Sequence, residues 1–221
     1  LLESGIALLE GRIASIHGET VRIEGRESLK ATQAVIVSAG AWTPRVIGYP
    51  PELLAGSTLY RCESHSVEVP RPPRVILYED RSGAYMVPES RSTCIVGDGP
   101  NSRLALVDEG YTPGPYSVYQ VLEELAQATP VALEATPRTS WSAPCIATGD
   151  GWPLLGRIHG KLYVFAGLDG IGLMIAPALA RILANHISRN EPLPPGMEPL
   201  RSARPWRPQV EPPPEPYRWG C

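Results

Sequence analysis

Two continuous apolar runs, two alternating segments and two helical stripes set the pattern of this chain. Leu162 to Ala166 is a short run of aromatic and β-branched residues, the mark of a buried strand. It stops at Gly167, and Gly170 and Gly172 follow closely. Beyond them Ile175, Leu179, Ile182, Leu183 and Ile187 recur at helical spacing. Pro177 has no amide hydrogen, so it places the first helical turn close by. The predicted unit is strand, glycine loop, helix. The second run, Ala34 to Ala39, reads as a strand buried on both faces, as in a parallel sheet. It ends at Ala39-Gly40, after which Trp42 and Thr43 open a short helix with Pro44 in its first turn.

Elsewhere polar and apolar residues alternate. Gly11 to Ile16 and Thr20 to Ile23 flank His17-Gly18-Glu19 as a β-hairpin, which the pattern alone reads as structural. Ser57 to Asp98 reads as a meander with strands at Tyr60 to Val69, Arg74 to Tyr78, Ala84 to Val87 and Thr93 to Val96. Pro115 to Thr129 is helical, with Tyr119, Leu122, Leu125 and Ala126 on one face, and Pro130 ends it. From Glu191 to Cys221 prolines crowd the chain, which predicts an extended tail or a strap over the surface. Trp206, Tyr217 and Trp219 imply that parts of it dock. Pro212-Pro213-Pro214 also fits a polyproline ligand.

Charge and composition narrow the classes. The 221 residues carry 20 Lys plus Arg against 23 Asp plus Glu, a net charge of -3. No basic stripe is present, which excludes a nucleic-acid partner. No apolar run reaches the length of a membrane span. The chain starts Leu1-Leu2-Glu3-Ser4, with neither an initiator Met nor a signal-peptide pattern. The cysteines, Cys62, Cys94, Cys145 and Cys221, are widely spaced and form no CxxC pair. That argues against a zinc site or a disulfide framework, and a reducing cytoplasm is the default. No metal ligands are assigned. His65 reads as a surface or satisfied core residue, and Cys145 as a buried inert thiol with no base placed beside it.

A glycine loop opening a helix brings backbone amides close to an electron-rich group. A tight turn that only closes a sheet has the same composition, and the spacing is not GxGxxG. Gly167, Gly170, Gly172, Ala176 and Pro177 resemble the motif G-H-x-G-x-G-x-x-x-A-P of the D-amino-acid oxidase-like FAD-dependent oxidoreductases, with Leu168 where a His is common. That group includes glycine, sarcosine and D-amino-acid oxidases. The resemblance implies FAD as cofactor, with Gly167, Gly170, Ile171, Gly172, Leu173 and Met174 beside it. The amides near Gly172, Leu173 and Met174 would face the pyrimidine edge of the flavin ring.

Further segments extend the resemblance. Val35 to Thr43 is similar to the family's V-V-x-A-x-G-x-W-[ST], which implies that Gly40 lies beside the FAD pyrophosphate, with Ala39 and Trp42 also at the cofactor. Ile13 matches a hydrophobic residue whose backbone contacts the adenine. Gly83 to Pro88 and Ile95 to Asp98 resemble a Y-x-x-P…V-G-D hairpin, which implies that Tyr85 faces the substrate; a packing Tyr is the alternative. Trp141, Thr148, Asp150, Gly151 and Pro153 fit W-x-G-x-R-P-x-T-P-D-G-x-P. Cys145 and Ile146 replace its Arg-Pro, so an acid substrate would need another cation, such as Arg138 or Arg61.

The expected fold is mixed α/β. Residues 1–56 and 146–190 would form the remaining part of an FAD-binding layer, 57–145 an antiparallel-sheet substrate domain, and 191–221 a proline-rich tail. The strand, GxGxxG turn and helix with which the family begins are missing, and Gly110 to Gly114 is no substitute. The resemblance spans residues 1 to about 190 and matches the C-terminal half of such an enzyme. The chain then reads as a fragment, a truncated product, or a subunit whose partner chain supplies the dinucleotide-binding segment. The implied activity is oxidation of a small-molecule amine or amino acid by hydride transfer to flavin, with no catalytic side chain assigned. The alternative is a non-catalytic remnant or interaction module that does not hold FAD by itself.

Overall fold

The computed structural model describes residues 5–48, 54, 56–97, 103–104, 113–114 and 117–199. In chain order the strands are β1 (Ile13–His17), β2 (Thr20–Ile23), β3 (Leu29–Lys30), β4 (Val35–Val37), β5 (Thr58–Glu68), β6 (Leu77–Tyr78), β7 (Tyr85–Pro88), β8 (Thr93–Gly97), β9 (Arg103–Leu104), β10 (Thr136–Ala147), β11 (Leu154–His159) and β12 (Leu162–Ala166). The helices are α1 (Thr43–Ile47), α2 (Ser117–Ala128) and α3 (Gly172–Arg189), with 3-10 turns at Gly40–Trp42 and Pro130–Glu134. The residues after 199 lie outside the described residues, as do Asp98 and most of 98–116, so nothing bears on the polyproline reading or the Gly110 to Gly114 segment.

The two apolar runs meet. β12 pairs in parallel with β4, aligning Leu162 with Val35 and Val164 with Val37, and β11 pairs antiparallel on its other side. One face of this small sheet buries Val35, Val37, Leu154, Leu162, Val164 and Ala166 against Ile47, Leu54 and Ile146. Ile16 and Val21 of the β1–β2 hairpin close that core. The opposite face carries Leu155 and Tyr163, which Leu179 and Leu183 of α3 cover. Burying each such side chain stabilises by about 1.5–3 kcal/mol. Differences in helix propensity are well below that per residue, so packing holds α3 in place.

β4 departs from the expectation of burial on both faces, because Ile36 is 49% exposed. It lies on the α3 side at the sheet edge, outside the core that α3 covers. Pro177 also sits deeper than expected, as the sixth residue of α3. It cannot donate to the carbonyl of Leu173, one turn earlier, so the helix runs on with one bond missing.

The meander forms a second, antiparallel sheet in the order β10-β5-β8-β7-β6, with β9 on β5. α2 packs Val118, Val121, Leu122 and Leu125 onto Val67, Met86, Cys94 and Val96. Tyr119, expected in that stripe, is 56% exposed, since it lies one position beyond Val118 and so about 100° around the helix. β10 was not anticipated. It contains Pro137 and Pro144 yet pairs with β5 over its whole length, which an edge strand tolerates because one side of its backbone has no ladder to complete.

The start of the proline-rich segment is a strap. Leu155 donates its amide to Met197 at 2.7 Å, Met197 enters the core beneath α3, and Leu193 packs beside it. Among the described residues no helix is long and apolar enough to cross a membrane.

Candidate active site

β12 delivers the chain to the loop Gly167–Ile171, and α3 carries it away. Gly167 and Gly170 hold φ of +66° and +79°, and Asp169 between them holds +43°. Gly167 is fixed twice over: a Cβ there would also press on Thr148 and Leu154 at 3.0 and 3.1 Å. Its glycine therefore has a packing cause independent of any ligand. Gly172 is different. Its φ is not in the left-handed region, and an added Cβ would touch only the Leu168 side chain, at 3.0 Å.

The α3 N-terminus presents donors. Met174 gives its amide to Ile171 at 3.0 Å, and Ile175 gives its own to the same carbonyl at 3.3 Å. Helix geometry leaves the amides of Gly172 and Leu173 without an intrahelical carbonyl, directed outward with the positive end of the helix dipole. Leu173 is 96% exposed and Met174 74% exposed, so most of the apolar side-chain surface here is uncovered.

Thr148 and Asp150 hold together the turn that precedes β11. Thr148 Oγ1 donates to the carbonyl of Trp152 at 2.8 Å, and Asp150 Oδ1 accepts the Trp152 amide at 3.1 Å. The turn that matched T-P-D-G-x-P thus has a structural function in this chain.

Opposite the loop stands one face of the large sheet. Strand alternation puts Tyr60, Cys62 and Ser64 of β5 on it, and cross-strand register adds Cys145 of β10 and Tyr85 of β7. Tyr85 reaches Ser64, with their hydroxyl oxygens 3.0 Å apart. It crosses Gly97, whose missing Cβ leaves room for the ring. The Tyr60 hydroxyl donates to Asp169, joining this face to the glycine loop. Burial pushes the Asp169 carboxyl above its ordinary range, opposed by that hydrogen bond. The Cys145 thiol is pushed far up by its hydrogen bond with Cys62, then by burial and the Asp169 charge.

The other face carries Arg61, Glu63 and His65. Arg61 Nη2 is 2.6 Å from Glu63 Oε1, with the glutamate side chain 1% exposed. Arg138 is paired with Glu68. The two candidate substrate cations are thus committed to carboxylates, and Arg61 points away from the loop. His65 is fully buried, has Ser140 Oγ 2.8 Å from Nδ1, and burial lowers its pKa.

The segment around Gly40 lies nearby, since its 3-10 turn packs beside β10, and α1 packs on β1, the strand of Ile13. Gly40 holds φ +53° with nothing within 4 Å of where a Cβ would be. Trp42 is 43% exposed, and Ala39 is partly buried on the core below. Thr43 is fully buried, yet its Oγ1 has no hydrogen-bond partner. An orphaned hydroxyl beside an open glycine turn, at the same end of the parallel β4–β12 pair as the first amides of α3, is a donor set suited to a phosphate and a heteroaromatic ring. Among the described residues no cluster of His, Cys, Asp or Glu could hold a metal.

Tyr60, Cys62, Ser64 and Asp169 escaped the sequence reading. Alternation along β5 would have placed the first three with Tyr60, but only the pairing of β5 with β8 and β10 shows which face meets the loop.

The family model described as FAD dependent oxidoreductase matches residues 1–186. Among curated proteins, a glycine oxidase of Pseudomonas aeruginosa is 27% identical over 169 residues, covering 72% of this chain and 43% of that protein. Among solved structures, glycine oxidase from Geobacillus kaustophilus aligns with a TM-score of 0.71 at 24% identity, covering 86% of this chain and 52% of that one. L-proline dehydrogenase from P. horikoshii aligns with a TM-score of 0.74 at 20% identity, covering 91% and 56%. The chain therefore spans about half the length of these relatives.

Proposed function

The chain belongs to the FAD-dependent oxidoreductase family, and on that premise we propose that it is the C-terminal portion of an enzyme that oxidises a small amine or amino acid. Bound FAD would supply the two-electron acceptor for the substrate's amine carbon. The residues of this chain bind and orient. The amides of Gly172 and Leu173 would hold the electron-rich edge of the ring, while Gly40 and the orphaned Thr43 hydroxyl would serve the pyrophosphate. Ala39, Trp42, Gly167, Gly170 and Ile171 shape this cradle, and Ile13 on β1 stands toward the adenine end. Met174 contributes its side chain, since its amide is taken by Ile171.

The observation that carries this reading is the meeting of the glycine loop with the Tyr60–Tyr85 face through Asp169. A turn that merely closed a sheet would need no second sheet opposite it. That face binds substrate with Tyr85, Ser64 and Tyr60 as polar contacts. It has Cys145 where relatives resembling it commonly carry Arg, so a substrate carboxylate is held elsewhere or is absent. Among the described residues Cys62, Cys94 and Cys145 form no disulfide, in keeping with a reducing, cytoplasmic setting.

Completion by a segment bearing strand, GxGxxG and helix tests the proposal, whether fused upstream or co-expressed as a second chain. The expected result is colourless protein from this chain alone, and bound flavin that glycine, sarcosine or proline bleaches anaerobically once it is completed. A completed protein that folds but retains no flavin would favour the interaction-module reading and overturn this one.

A further inference from the structure

Cys62 and Cys145 lie 83 positions apart in sequence (145 minus 62) and on different strands, yet they share one face of the β5–β10 ladder. Cys62 is paired with Ala143 and Cys145 with Tyr60, which makes the two cysteines diagonal neighbours. The Cys62 side chain acts on the Cys145 thiol at close range and is the first cause of its raised pKa. Both residues are partly exposed, whereas Cys94 is enclosed in the core under α2. No contact proposed for substrate or cofactor uses either sulfur.

We propose that Cys62 and Cys145 form a reversible dithiol–disulfide site, oxidised by a peroxide, that clamps β5 to β10 on the face opposite the glycine loop. The step balances as follows. Cys62 attacks the peroxide oxygen, breaks the O–O bond and becomes a sulfenic acid, its thiol proton going to the departing water or alcohol. Cys145 then attacks the Cys62 sulfur, the S–O bond breaks, and a second water carries off the hydroxyl with the Cys145 proton. Two electrons pass from the two sulfurs to the peroxide. Cys145 stands across the ladder from Tyr60, whose hydroxyl holds Asp169, so a carboxylate lies near Cys145 and disfavours its thiolate, which leaves Cys62 as the first nucleophile. The sulfurs must close to about 2.05 Å, and since diagonal neighbours stand about 7–8 Å apart the two strands must draw together locally for the bond to form. In a reducing compartment such a bond is transient and responsive to conditions, not a permanent staple.

The test uses the chain as it is, folded, and does not depend on flavin. Stoichiometric hydrogen peroxide is added, thiols are counted after denaturation, and peptides are mapped without reductant. The expected result is a fall from four thiols per chain to two, with one linked peptide joining Cys62 to Cys145, reversed by dithiothreitol. Cys145→Ser should abolish the linked peptide and leave a trappable sulfenic acid at Cys62. Wild-type protein that accumulates sulfenic or sulfinic acid at Cys62 without the linked peptide would overturn the proposal. So would linkage that forms only in denaturant, or that joins Cys94 or Cys221 instead.

Discussion

The Tyr60 hydroxyl donates to the Asp169 carboxylate across 109 positions of sequence, and this contact joins the large antiparallel sheet to the glycine loop. Asp169 is enclosed well enough that burial raises its pKa above the ordinary 3.8. A raised carboxyl binds its proton more tightly in the folded chain than in the unfolded one. Its stabilising share is therefore complete below pH 3.8 and is lost as pH rises through the folded value. Asp169→Asn keeps an acceptor for Tyr60 and cannot ionise. Melting curves from pH 3.5 to 7 should show wild type losing stability relative to Asp169→Asn as pH rises, and parallel curves would mean that Asp169 is solvated.

Glu79 works in the opposite sense at the far edge of the same sheet. Its carboxylate accepts from the Ser82 hydroxyl and amide, each at 2.6 Å, and from the Arg81 amide at 3.2 Å. These bonds, the Ser82 hydroxyl foremost, hold it down to about 2 from 4.5. The stability they give is present above pH 4.5 and is lost as pH falls toward 2. Glu79→Gln should lower the melting temperature at pH 7 and lie close to wild type at pH 2. A gap that persists at pH 2 would trace the effect to side-chain shape and not to charge.

Those two groups bracket what was legible in the sequence. The strand–loop–helix unit, the parallel neighbour of its strand and the meander follow from apolar periodicity and glycine placement, because each is a local pattern. β10 was hidden because Pro137 and Pro144 argue against a strand until an edge position is known. The Tyr60–Asp169 and Cys62–Cys145 contacts were hidden for a different reason. Alternation assigns residues to a face but does not say which face turns toward which loop, and long-range register supplies that. The depth of Pro177 and the exposure of Ile36 belong to tertiary context in the same way.

Tyr85 depends on Gly97 directly across the ladder. An ideal Cβ on Gly97 would fall within the Tyr85 ring. Gly97→Ala should expel the ring from Ser64 and cost about 1–3 kcal/mol, as overpacking does. Near-ultraviolet circular dichroism should lose the same tyrosine contribution that Tyr85→Phe removes. If the Gly97→Ala spectrum and melting temperature match wild type, the ring is not seated on Gly97, and the substrate-facing placement of Tyr85 loses its support.

The glycine loop separates two causes that the sequence reading joined. Gly170 needs its glycine for φ, at +79°, whereas Gly172 lies in helical backbone with only Leu168 in the way. Gly170→Ala should therefore cost about 1–2 kcal/mol. Gly172→Ala should gain up to about 1 kcal/mol of helix propensity, offset by the push on Leu168. Thermal melts of the two variants decide this, and equal losses would return the constraint to both positions. Function then divides a third variant from these. In the enzyme completed by its nucleotide-binding segment, Gly172→Val bulges against Leu168 and moves the amides of Gly172 and Leu173, whereas Gly172→Ala leaves them in place. Losing a preorganised donor costs about 2.7–4 kcal/mol in a catalytic step, so flavin reduction should slow roughly a hundredfold or more. The flavin midpoint potential should fall with it, because reduced flavin is the form those amides stabilise. A lowered melting temperature with an unchanged potential would show that the turn only builds the fold.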